Sequence, residues 1–204
     1  MNTKHPFELN LKIALIIYVA LTLLITFPAV IELNKSALGC RYTDTWHSLW
    51  GISFVKDSLL HGKSLFFTDY IFYPQGGYLY PLNFLNAILI FPVYLFLPVV
   101  VSYNLMIMIL MVIAMLGMYR LVLYIARNKY AAFYSGLCYG ISPIVITAIH
   151  NGTDELLGLC WIPYYALYLL KALDEDRMRP FFLSILFLFI LALNNEKSLQ
   201  PTSR

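Results

Sequence analysis

Long apolar runs separated by short polar segments constrain this chain more than any other feature of its sequence. Six such runs lie at 13–33, 82–101, 103–126, 130–149, 156–173 and 181–193. A helix needs about 20 apolar residues, and at least about 17, to cross the hydrocarbon core of a bilayer. Only 12% of the residues are charged, whereas soluble domains carry roughly a quarter. The sequence therefore predicts an all-α, polytopic helical membrane protein that forms a single membrane-embedded domain over 1–204.

The basic residues indicate which runs cross. They cluster at 4–12, 120–129 and 171–179, and basic clusters favour the cytoplasmic side. All three clusters meet that rule if 82–101 lies along the outer interface, or dips in and returns. Three prolines in or beside that run also suit a broken interfacial helix. We therefore expect about five crossings, the last of them partial, in a bacterial cytoplasmic membrane with the N-terminus in the cytoplasm.

This topology makes 34–102 one long outer loop. Its first part, 43–61, predicts an amphipathic interfacial helix, with Thr43 or Asp44 as the N-cap and Gly62 after the end. Further along, 73–77 predicts a tight turn in which glycine supplies a positive φ.

Aromatic side chains follow one face of the predicted helix. Trp46, Trp50 and Phe54 recur every four residues, which places them on one stripe. Such a stripe suits the headgroup level of a membrane.

Asp44 is the first candidate for chemistry, with His47 about one turn after it. A carboxylate at the membrane boundary can act as a general base, or hold a Mg or Mn ion that neutralises a phosphate. The simpler alternative is that Asp44 only caps the helix, and these residues alone favour that cap.

A second acidic pair, Asp154 and Glu155, lies in the next outer loop after His150. Taken alone, the pair fits a solvated loop at a helix N-terminus. However, the predicted topology puts it on the same side as Asp44, and acidic groups that converge at a membrane boundary make a site hypothesis. Asp154 would then be the second possible metal ligand. The candidate substrate-binding residues are His47, Trp50, His150, Asp154 and Glu155.

Two further observations bound the function. The formal charge of +3 gives no reason to expect a nucleic-acid partner. The cysteines show no metal-binding spacing; Cys138 and Cys160 lie in apolar runs and are expected to be buried packing residues, whereas Cys40 lies in the outer loop.

A series of short motifs resembles the N-terminal part of bacterial GT-C-type membrane glycosyltransferases, and within them the YfhO-like proteins. The series runs in order through Thr-Asp-Thr-Trp-His-Ser-Leu-Trp at 43–50, Leu-Phe-Phe at 65–67, Tyr-Pro-Gln-Gly at 73–76, Pro-Leu-Asn at 81–83, Tyr-Asn-Leu at 103–105, Gly-Ile-Ser-Pro at 140–143 and Trp-Ile-Pro at 161–163. Each motif is short, so the resemblance depends on their order and spacing.

The resemblance implies transfer of a sugar from a polyprenyl-phosphate donor to an acceptor at the outer membrane face. Asp44 occupies the place of the family's essential acidic residue, and Asp154 or Glu155 that of a helper acid. Many relatives carry paired acids where this chain has Asp44 alone. The family continues for many more spans, so we expect a fragment with little turnover by itself, or a partner chain that supplies the missing half.

Two other classes stay open. A non-catalytic membrane scaffold or degenerate remnant would tolerate replacement of Asp44 and Asp154. A transporter is the least favoured, because no apolar run carries a central acidic residue.

Overall fold

A computed structural model describes residues 10–40, 42–78, 84–175 and 177–194, without the side chains of 84–87, 154–157 and 194. The described chain is mostly helical, which confirms the predicted helical class. Its elements, in order, are α1 (Leu11–Ile25), α2 (Thr45–His61), β1 (Phe67–Thr68), β2 (Gly77–Tyr78), α3 (Phe84–Tyr94), α4 (Val99–Ala126), α5 (Lys129–Gly140), α6 (Pro143–Asn151), a 3-10 helix (Asp154–Trp161), α7 (Ile162–Asp174) and α8 (Met178–Asn194).

Helix α4 is the centre of the packing. Every fourth residue along one of its faces is almost completely buried, and this stripe is Tyr103, Ile107, Met111, Met115 and Tyr119. The spacing keeps one face of the helix against its neighbours over five turns. α4 therefore forms the core on which α1, α3, α5 and α7 pack.

Helix α5 approaches α4 closely through two glycines. A Cβ atom on Gly136 would lie 2.7 Å from the Met115 carbonyl oxygen, and one on Gly140 would overlap the Met115 side chain. Small residues four apart allow helix backbones to approach in this way. On the same side, the Tyr18 hydroxyl of α1 donates to the Phe133 carbonyl at 2.9 Å, so α1 is joined to α5.

The long loop after α1 is folded against the core. α2 packs on α3, where the Lys56 ammonium donates to the Tyr94 carbonyl at 3.0 Å. The turn predicted at 73–77 is present and joins the two strands of an antiparallel hairpin, with Phe67 opposite Tyr78. Gly76 supplies the positive φ, at +71°.

Several helices end earlier than the apolar runs that contain them. The run 13–33 continues as helix only to Ile25, because Pro28 cannot donate to the carbonyl four residues before it. The run 82–101 contains the short helix α3, which includes Pro92, and then the start of α4. Eleven residues, at about 1.5 Å each, give α3 a length of about 16 Å.

The later runs are also divided. The run 130–149 consists of α5 and α6, separated at 141–142 before Pro143. The run 156–173 begins within the 3-10 helix and becomes α-helical only at Ile162. Helix α4 (Val99–Ala126) and the helical segment Lys129–Asn151, which comprises α5 and α6, are long and apolar enough to cross a membrane. Leu11–Ile25 and Met178–Leu193 are shorter apolar helices.

Candidate functional site at the junction of two polar segments

The start of α2 lies against the end of α6, although about a hundred residues separate them in the chain. The backbone N–H of Asp44 donates to the carbonyl of Asn151 at 3.1 Å. One turn later, the Ser48 hydroxyl donates to the carbonyl of Gly152 at 3.0 Å. The two segments that carry the predicted acidic residues therefore meet at this junction.

Gly152 makes the close approach possible. Its φ of +67° lies in the left-handed region that glycine adopts without a steric penalty. A Cβ atom at this position would overlap the backbone and the hydroxyl of Thr45. Glycine is thus required here both by its conformation and by the contact.

A third segment completes the junction. Gly39 packs against Thr45 so closely that a Cβ atom would overlap the Thr45 hydroxyl. The Thr43 hydroxyl lies 3.2 Å from that of Thr45 and donates to the Cys40 carbonyl at 2.7 Å. Thr45 is buried among these contacts, so the backbone around Asp44 is held from three directions.

The Asp44 side chain does not cap α2. Asp44 occupies the N-cap position with φ −68° and ψ 1°, and its carboxylate makes no capping hydrogen bond. The capping role favoured by the sequence is therefore wrong, although the helix does begin at the next residue. By contrast, Asn10 and Asn128 cap α1 and α5 through their side chains. The carboxylate of Asp44 is exposed at the junction.

Another acid of the same helix, Asp57, is placed differently. Its carboxylate accepts a hydrogen bond from the Lys63 ammonium at 3.0 Å. This ion pair lowers the pKa of Asp57 below its usual value, and the nearby His61 acts in the same direction. Asp57 thus has a partner at the C-terminal end of α2, whereas Asp44 keeps its carboxylate available at the N-terminal end.

The other candidate residues near the junction differ in their exposure to solvent. His47 is exposed on the first turn of α2, and His150 is exposed on the last turn of α6, one residue before Asn151. Trp50 is half-buried and stacks on Phe54 with ring centroids 5.4 Å apart. The expected stripe at the headgroup level is therefore not uniform, because Trp46 is 64% exposed but Phe54 only 8%.

Asp154 and Glu155 open the 3-10 helix, two to three residues after Gly152. Their side chains lie outside the described part of the chain. Among the described side chains, no group of three His, Cys, Asp or Glu residues could hold a metal ion. The Mg or Mn ion suggested by the sequence therefore stays a prediction.

The burial of the cysteines agrees only partly with the prediction. Cys160 is buried, as predicted, but Cys138 is exposed on α5 and Cys40 is partly buried beside Thr43. The prediction for Cys138 is wrong because its face of α5 is turned away from α4, which contacts Gly136 and Gly140 instead.

Sequence reasoning missed the residue that fixes the loop before the junction. Asn104, fully buried in α4, accepts from the Leu38 N–H at 2.8 Å and donates to the carbonyls of Leu33 and Ser36 at 3.0 and 2.8 Å. Its signal in the sequence is an amide side chain inside a long apolar run, which requires buried partners.

Comparison of the chain with protein-family models, with characterised proteins and with solved structures gives no match. The chemistry of the junction therefore has to be argued from its own residues. Asp44 is an exposed carboxylate on a fixed backbone, with His47 three residues later on α2 and His150 one residue before Asn151. Such a carboxylate can accept a proton, and imidazoles can bind a polar or phosphorylated group.

Proposed function

We propose that the chain is a multi-pass membrane protein of the bacterial cytoplasmic membrane with a cytoplasmic N-terminus. The length and apolar character of α4 and of α5 with α6 support this placement. The exposed faces of the shorter helices support it as well. α8 exposes Phe182, Ile185, Leu186, Leu188 and Phe189, each by about half its surface, and apolar surface of this extent indicates contact with lipid.

Within that placement, we propose that the junction is the acceptor end of a GT-C-type glycosyltransferase site. The observation that carries the proposal is the hydrogen bond from the Asp44 N–H to the Asn151 carbonyl. It joins the two polar segments and leaves the Asp44 carboxylate free of the helix cap. A carboxylate held in this way at a membrane boundary can act on a hydroxyl that arrives from the aqueous side.

The proposed reaction moves a sugar from a polyprenyl-phosphate donor to an acceptor hydroxyl. Asp44 accepts the proton of that hydroxyl, and the acceptor oxygen forms a bond to the anomeric carbon of the sugar. The bond from this carbon to the phosphate oxygen breaks, and the phosphate leaves with the electron pair. His47 and His150, when protonated, stabilise the negative charge on the departing phosphate.

The test is a chromosomal Asp44→Asn substitution, so that the protein is produced as the cell makes it. Transfer of radiolabelled sugar from polyprenyl-phosphate donors is measured in isolated membranes. We expect a loss of at least about a hundredfold, the usual contribution of a general base. Asp69→Asn is the control, because Asp69 is an exposed carboxylate of the same loop, and we expect it to retain full transfer. Equal activity of both variants and the wild type would overturn the assignment of Asp44.

A second function, a non-catalytic membrane scaffold, is favoured by one observation. At the junction the Thr43 and Ser48 hydroxyls donate to the backbone carbonyls of Cys40 and Gly152 and so hold the backbone in place. A scaffold needs these contacts but not the carboxylate. It therefore predicts that Asp44→Asn has no effect, whereas a change at Gly152 lowers stability.

A further inference from the structure

A cleft lies at the other end of α4, away from the junction. It has a volume of about 730 Å³ and lies between the end of α4 and the end of α7, lined by Leu123, Tyr124, Ile125, Arg127, Leu170 and Asp174. Its wall combines apolar side chains with charged ones. Such a lining fits an amphiphile better than a small polar solute, because part of the ligand surface has to be apolar.

Charged groups of both signs lie at this cleft. Arg127 lines it, and the Lys171 ammonium lies 5.4 Å from the centroid of the Tyr124 ring and 5.6 Å from that of Tyr168. Asp174, in the wall, accepts a hydrogen bond from the Tyr124 hydroxyl at 2.8 Å, and Glu175 next to it also acts electrostatically on Tyr124. Among the described residues, neither Arg127 nor Lys171 forms an ion pair.

The backbone of Arg127 adds an independent observation. Its φ of +50° lies in the left-handed region, where glycine or asparagine usually ends a helix. A cation at a helix C-terminus interacts favourably with the helix dipole. Lys171 lies in the last turn of α7, so the same interaction stabilises it. Two helix C-termini, each with a cation, therefore face one cleft.

We propose that this cleft binds the phosphodiester headgroup of an anionic membrane lipid. Arg127 and Lys171 contact the phosphate, and Leu123, Ile125 and Leu170 contact the first part of the acyl chains. Ile125 and Leu173 are 63% and 76% exposed beside the charged groups, which continues the apolar surface on which the chains would lie. Basic pockets at the ends of membrane helices are typical sites for such headgroups. The inference rests on the proposed membrane placement, but not on sugar transfer.

The test uses the full chain reconstituted in vesicles of equal parts phosphatidylglycerol and phosphatidylcholine. The protein is extracted with mild detergent, and the lipids that remain bound are quantified by mass spectrometry. The wild type is expected to retain phosphatidylglycerol preferentially. Arg127→Asn, which removes the charge but keeps a residue that accepts the left-handed backbone, is expected to lower this preference about fivefold.

Three further variants sharpen the result. Lys171→Gln is expected to lower the preference by a similar factor, and it tests the site independently of the backbone at Arg127. Asp174→Asn removes the negative charge of the wall and is expected to raise the preference. Lys12→Gln is the matched control, because Lys12 is an exposed cation outside the cleft, and it is expected to change nothing.

The lipid site is overturned if Arg127→Asn and Lys171→Gln retain the wild-type preference, or if Lys12→Gln loses as much. It is also overturned if inorganic phosphate displaces the retained lipid, because the ligand would then be a free phosphate. Protein that fails to insert into the vesicles contradicts the membrane placement and this site together. Inserted protein without lipid preference contradicts only the site.

Discussion

The side-chain oxygen of Asn104 accepts a hydrogen bond from the backbone N–H of Leu38 at 2.8 Å, inside the core of the protein. The amide nitrogen of the same side chain donates to the carbonyls of Leu33 and Ser36. One buried side chain of α4 thus satisfies three backbone groups of the segment that leads to the junction. The position of Asp44 depends on this segment, because only a few residues separate Leu38 from it.

Asn104→Leu should lower the free energy of unfolding by about 3 kcal/mol or more, since each buried polar group left unpaired costs about 1–3 kcal/mol. Thermal unfolding in detergent, followed by circular dichroism, measures the effect. Asn34→Ala is the control, because Asn34 is an exposed residue of the same segment. If Asn104→Leu and the control had equal melting temperatures, the hydrogen bonds from Asn104 to the 33–38 segment would not stabilise the protein as proposed.

Gly152→Ala tests the junction directly. Gly62 and Gly152 have nearly the same φ, +62° and +67°, but a Cβ atom at Gly62 has open space, whereas one at Gly152 meets Thr45. Gly62→Ala should therefore lower the free energy of unfolding by only about 1 kcal/mol, because alanine is strained in the left-handed region. Gly152→Ala should lower the free energy of unfolding by roughly 3 kcal/mol, because the added Cβ atom would also overlap Thr45 and force the two segments apart. Denaturant titration measures the free energy of unfolding of both variants. Equal losses would show that Gly152 and Thr45 are not in contact.

Asp44→Ala should leave stability almost unchanged, within about 0.5 kcal/mol, because the carboxylate forms no helix cap. Alanine is used because asparagine would cap a helix as well as aspartate does. Asn128→Ala should cost about 1 kcal/mol, because the Asn128 side chain accepts from the backbone N–H groups of Tyr130 and Ala131. Thermal unfolding of the two variants distinguishes these cases. A stability loss on Asp44→Ala as large as that on Asn128→Ala would show that Asp44 does cap α2.

The ion pair of Asp57 and Lys63 predicts a pH dependence. The folded-state pKa of Asp57 is lowered, so its contribution to stability is present above the unfolded pKa of about 3.9 and is lost as the pH falls through the folded value. The coupling between Asp57→Asn and Lys63→Gln should be measurable at neutral pH and disappear in strong acid. It should also weaken in high salt, since both groups are exposed. A coupling that persists at low pH would contradict this assignment.

The local features of the fold were predictable from the sequence. α2 ends at Gly62 with a left-handed glycine, and the turn before Gly77 uses Gly76 in the same way, because glycine and proline act through their own backbone geometry. Pro28 indicated that α1 would end early. The predicted span nevertheless continued to residue 33, because the residues around this proline are apolar.

The long-range features were not predictable in the same way. The contact from Ser48 to Gly152 spans 104 positions, and no local pattern specifies which loop a glycine will meet. The partners of Asn104 were hidden for the same reason, although an amide in an apolar run signals that partners exist. For Asp44, two roles were predicted, and only the structure, in which the side chain makes no capping hydrogen bond, distinguished the cap from the exposed carboxylate.

The central claim is that the two polar segments meet on one side of a membrane, and sidedness tests it most directly. The three native cysteines are replaced, and single cysteines are placed at Asp44, Asn128 and Asp154. α5 and α6 together cover the 23 residues of Lys129–Asn151, and aligned end to end at about 1.5 Å per residue they would extend about 35 Å, enough to cross a hydrocarbon core of about 30 Å. We predict that an impermeant thiol reagent labels positions 44 and 154 in intact cells, but not position 128. Labelling of only one of positions 44 and 154 would place the segments on opposite sides and contradict the account.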